Sequence, residues 1–92
     1  MTNLSILELE KNKKASIWLE LDDVVYDAEV ITDGDGTREE FIYSLKEFAV
    51  MFNNSMIREY CEDREMPESQ AIDFCRKHEL DSHENLTVTC IQ

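Results

Sequence analysis

The sequence predicts an α+β fold: an antiparallel four-stranded sheet in the order β-β-β-α-α-β, with its helices packed on one face. Three observations predict it. Residues 15–21 alternate apolar and polar without a break. From Phe41 to Tyr60 the apolar residues recur at helical spacing. After a second helical stretch, Leu86 to Ile91 returns to β-branched composition.

The elements follow in order. Leu4-Ser-Ile-Leu-Glu-Leu-Glu10 reads as a short strand, with Leu7 and Leu9 on one side and Glu8 and Glu10 on the other. Lys11-Asn12-Lys13-Lys14 is a polar turn and the one basic cluster of the chain. The next strand places Ala15, Ile17, Leu19 and Leu21 on its buried face, and Ser16, Trp18 and Glu20 on the other. Asp22-Asp23 is a turn. Residues 24–32 form a third strand, rich in β-branched residues, with Asp27 and Glu29 on its polar face. Turns this short join antiparallel neighbours, so the three strands form a meander.

Asp33-Gly34-Asp35-Gly36 holds both glycines of the chain and reads as a strand-to-helix turn. Thr37 with Glu40 fits a capping box. Phe41, Leu45, Phe48, Phe52, Met56 and Tyr60 then share one helical face. Asn53-Asn54-Ser55 are poor helix formers, so a kink or brief break is expected there, with the helix resuming to about Arg64. Pro67 starts a second helix. Its inner face carries Ala71, Phe74, Cys75 and His78, and its last turn carries Arg76, Lys77 and His78, as the helix dipole favours. A polar loop from Asp81 to Asn85 leads into the final strand.

Ninety-two residues with 42% hydrophobic content predict one domain spanning 1–92. The net charge is −12. That charge opposes binding to nucleic acid or an anionic membrane, and favours a positively charged partner. Cys61, Cys75 and Cys90 are odd in number and widely spaced, so free thiols in a reducing compartment are expected. The N-terminus lacks the basic-then-apolar pattern of a signal peptide, and no apolar run approaches bilayer length. A soluble, intracellular protein is expected.

Candidate chemistry is sparse. Asp33-Gly34-Asp35-Gly36-Thr37 resembles the middle of an EF-hand loop. With Asp33 and Asp35 at loop positions 3 and 5, the first and last ligand positions fall on Ile31 and Ile42, which carry no side-chain oxygen. Cys75-x-x-His78 has a metal-ligand spacing, with Cys61 and His83 as conceivable partners. A structural zinc site draws on two close pairs, and only one is present. No serine sits in a nucleophile-elbow pattern, and no two carboxylates are singled out as an acid and base. The expectation is a protein that is not an enzyme and holds no metal or cofactor.

The distribution of acid is the strongest functional signal. Residues 20–40 contain Glu20, Asp22, Asp23, Asp27, Glu29, Asp33, Asp35, Glu39 and Glu40 against Arg38 alone, nine carboxylates to one cation. Trp18, beside Glu20 on the face the helices leave open, reads as an exposed interface anchor. These ten residues are the candidate partner-binding set. A solvated sheet face is the bland alternative, and Trp18 could equally cover an edge within the monomer.

In its length, its opening Met1-Thr2-Asn3-Leu4-Ser5, its acidity and its strands flanking central helices, the chain resembles the small acidic phage-encoded anti-CRISPR proteins, among them inhibitors of type I-F systems. The resemblance implies a stoichiometric inhibitor in the host cytoplasm. It implies binding to a crRNA-guided surveillance complex on its basic DNA-binding surface, which blocks target DNA hybridisation. It also leaves room for Lys11, Lys13 and Lys14 to touch guide-RNA phosphates. The alternatives are an accessory or regulatory protein of another nucleic-acid-processing complex, and a calcium-binding regulator.

Overall fold

A computed structural model describes the backbone of residues 4–10, 14–31, 36–84 and 86–91, and the side chains of 14–31, 36–84 and 86–89. The fold is α+β. Its elements are β1 (Leu4–Glu10), β2 (Lys14–Leu21), β3 (Val24–Ile31), α1 (Arg38–Asp63), α2 (Glu68–His78) and β4 (Thr89–Ile91). The sheet order is β3-β2-β1-β4. β1 and β3 both pair antiparallel with β2.

The expectation of an all-antiparallel sheet is corrected at β4, which runs parallel to β1, with Glu8 opposite Thr89 and Glu10 opposite Ile91. The chain path gives the reason. α1 carries the chain back from the end of β3 to the β2–β3 turn. α2 and the segment after it carry it forward again, so β4 enters in the direction of β1. β4 is also shorter than the strand expected over 86–91. Leu86 and Val88 pack into the core before the ladder begins.

β2 owes its place to its alternation. Ala15, Ile17, Leu19 and Leu21 are all buried, while Ser16 and Trp18 are half-buried and Glu20 is exposed. α1 begins as its sequence dictates. The Thr37 hydroxyl accepts from the Glu40 backbone N–H at 3.1 Å, and the Glu40 carboxylate accepts from the Thr37 N–H at 3.2 Å.

The expected break at Asn53-Asn54-Ser55 does not occur, and α1 runs unbroken for 26 residues. The asparagines are used for long-range contacts instead. Asn54 donates to the Leu80 carbonyl at 2.9 Å and accepts from the Leu80 N–H at 2.8 Å. Asn53, fully buried, donates to Asn54 Oδ1 at 3.0 Å and to the His78 carbonyl at 3.4 Å. These bonds tie the end of α2 to the middle of α1.

The line of deepest burial on α1 is Leu45, Ala49, Asn53 and Ile57, with the expected stripe alongside it. Asn53 divides the core. On one side Ala15, Ile17, Leu45, Ala49 and Leu86 pack together. On the other are Leu19, Leu21, Ile57 and Tyr60. Phe52 touches both groups.

Candidate interaction surface

The β2–β3 hairpin builds the surface through its register. Trp18 lies opposite Asp27, Ser16 opposite Glu29 and Glu20 opposite Val25. The helices cover the other face, so these residues meet solvent. Asp27, Glu29, Val25 and Ile31 are exposed. Asp27 and Glu29 stand about 6.7 Å apart along the strand. Ser16, Trp18, Asp27, Ala28 and Glu29 line a concavity of about 370 Å³. Trp18 is half-buried rather than exposed as expected, because it sits mid-strand between neighbouring strands. Lys14 forms an ion pair with Glu29 at 2.6 Å.

Other carboxylates of the acidic stretch lie away from this face. Asp22 takes up a left-handed conformation at the hairpin turn, with φ of 52°. Its carboxylate accepts from the Tyr60 hydroxyl at 3.1 Å. Asp23 pairs with Arg64, and the Arg64 guanidinium lies over the Tyr60 ring, 4.4 Å from its centroid. The turn is therefore fastened to the end of α1. Burial, followed by the bond to Asp22, raises the Tyr60 hydroxyl above its ordinary pKa. Glu39 and Glu40 are exposed in the first turn of α1, in the helical layer rather than beside Trp18. Asp33 and Asp35, with the rest of the EF-hand-like turn before Gly36, lie outside the described residues, as do Lys11 and Lys13 and the side chains of β1.

No protein-family model, curated protein or solved structure matches this chain.

The open hairpin face therefore stands on its own geometry. It sets a half-buried aromatic ring opposite one exposed carboxylate, Asp27, with Glu29 two residues further along β3, a combination that suits a cationic side chain. The alternation of β2 places Ser16 on the face of Trp18, but Ser16 is not among the candidate binding residues read from the sequence. The sequence marks Arg64 only as a helix end and Tyr60 only as a helix-face residue, not as partners of Asp23 and Asp22. They lie 41 and 38 residues from the aspartates they engage, and no local pattern marks such pairs.

Among the described residues, no group of three or more His, Cys, Asp or Glu is placed to hold a metal ion. The residues considered for zinc serve packing. The His78 ring lies tilted against Phe74, 4.3 Å between centroids, and His83 meets the Tyr43 ring edge-on at 5.0 Å. Burial pushes the Cys75 thiol up to about 11, with neighbouring Cys61 and Glu79 adding to the shift. Among the described residues, no helix is long and apolar enough to cross a membrane.

Proposed function

We propose that this chain is a stoichiometric binding protein, acting without turnover, whose open hairpin face engages a basic nucleic-acid-binding surface of a host protein complex. The observation that carries this reading is Trp18 directly opposite Asp27, with Glu29 lining the same concavity, on the sheet face turned away from α1 and α2. An aromatic anchor with a charged rim is the composition expected of a contact surface. The resemblance to anti-CRISPR proteins selects the target: a type I-F crRNA-guided surveillance complex in the host cytoplasm, whose hybridisation to target DNA is blocked.

Lys14 is paired with Glu29, which favours a role in orienting that carboxylate over a direct contact with guide RNA. The test is a target-binding assay with the purified surveillance complex and a labelled DNA duplex. Added protein is expected to abolish duplex binding at about one equivalent per site, and Asp27→Lys with Glu29→Lys to restore it. Undiminished duplex binding in the presence of excess protein would overturn the reading.

A further inference from the structure

The outer edge of β3 is the longest unpaired backbone row in the described sheet. β3 pairs with β2 along all eight residues and, among the described residues, with no other strand. Among the described residues, none of its backbone groups bonds to a loop or cap. The opposite edge, β4, is three residues long. Edge strands are usually protected by shortness, proline, a bulge or charge. β3 has no proline and its register with β2 is continuous, so charge is the protection it carries.

The charge is placed to discriminate. Val25, Asp27, Glu29 and Ile31 alternate along the exposed face, and Val24, Tyr26, Ala28 and Val30 are half-buried on the other. If a second copy paired antiparallel about the middle of β3, Asp27 would face either Asp27 or Glu29 of that copy. Like charges directly opposite each other on a sheet repel. The strand therefore disfavours its own copy and accepts a strand of opposite charge. A complementary strand would alternate as well, with lysine or arginine opposite Asp27 and opposite Glu29, where it would share the carboxylate with Lys14. Its intervening apolar residues would cover the flank of Tyr26, Ala28 and Val30. Among the described residues Asp27 makes no hydrogen bond or ion pair, so it is available for such a cation.

We infer that β3 is a docking edge for an extended basic segment of the partner protein, which adds to the sheet as a further strand with cations at alternate positions. This rests on the hairpin face being the contact surface, and it names the form the contact takes.

The test needs no surveillance complex. Isotope-labelled protein is titrated with three short peptides. The first alternates lysine and valine. The second has the same composition with its charges in one block. The third is the alternating peptide with alternate amides N-methylated, so that it keeps its charge and loses ladder donors. The alternating peptide is expected to bind with amide shifts concentrated in residues 24–31. The other two are expected to bind at least about tenfold more weakly. Asp27→Lys with Glu29→Lys is expected to abolish binding of the first. Equal binding of all three peptides, or shifts centred on the helices, would overturn the inference. If the peptides behave as expected while the surveillance complex is unaffected, the docking edge stands and the proposed target fails. If the complex is inhibited through Asp27 and Glu29 but the peptides do not discriminate, the target stands and the strand addition fails.

Discussion

The two ends of the β2–β3 hairpin carry similar charge and do different work. At the turn, Asp22 and Asp23 are engaged by Tyr60 and Arg64. Four residues further on, Asp27 faces solvent beside Trp18. A run of carboxylates in a sequence is therefore not one patch. Some of its charge fastens the hairpin to α1, and Asp27 stays exposed on the open sheet face. The distinction should appear in mutagenesis, with stability following one end and binding the other.

The largest expected effect is at the fastened end. Ile57, fully buried beside Tyr60, is expected to cost about 2–5 kcal/mol of folding stability when changed to alanine, measured by urea unfolding. Affinity of the remaining folded protein for its partner should be unchanged. At the open end, Trp18→Ala is expected to cost about 2 kcal/mol or more in partner affinity with a small change in melting midpoint, read by calorimetry on one sample. A loss of stability as large as that at Ile57 would make Trp18 a packing residue and erase the contrast.

Smaller effects sharpen it. Asn54→Ala removes two hydrogen bonds to Leu80 and is expected to cost about 1–3 kcal/mol of stability without altering binding. Asp23→Asn breaks an exposed ion pair and is expected to cost under about 1 kcal/mol, because solvent and salt screen it.

The smallest effect depends on pH. Burial, then the neighbouring Lys77, lowers the His78 pKa below its ordinary 6.5, partly offset by Asp22. The unfolded chain therefore takes up this proton more readily than the folded one. The contribution of neutral His78 is present above the ordinary value and lost as pH falls toward the lowered one. Between about pH 7.5 and pH 5.5 the wild-type melting midpoint should fall relative to that of His78→Phe. The difference between the two proteins isolates the histidine from the changing net charge. Parallel curves would show that His78 plays no part.

Local patterns made much of this architecture legible. The alternation of Ala15 to Leu21, the Thr37–Glu40 cap and the helical face from Phe41 to Tyr60 each follow from residues a few positions apart. The site was legible where it depends on strand alternation, as with Trp18, Asp27 and Glu29. What escaped depends on distant partners. The parallel entry of β4 is set by how two helices fold back. The duties of Asp22 and Asp23 are set by residues near the far end of α1. Asn53 and Asn54 have low helix propensity, but their long-range bonds to the last residue of α2 and to Leu80 beyond it outweigh it.

Asn53 has one further consequence. Leu45, Ala49 and Ile57 repeat every four or eight residues, so an apolar helix face could slide by a turn on the sheet and still bury oil against oil. Asn53 stands in that row, and its amide is satisfied by the His78 carbonyl and Asn54. Moved one turn either way, it would lose the His78 carbonyl and press into the apolar surroundings that Ala49 or Ile57 now fill. Its Oδ1 has no hydrogen-bond partner among the described residues even in the native position, so the residue is a poor choice for stability alone. Its value lies in alignment: like a dowel in a joint, it permits one seating of the helix and makes the neighbouring ones costly.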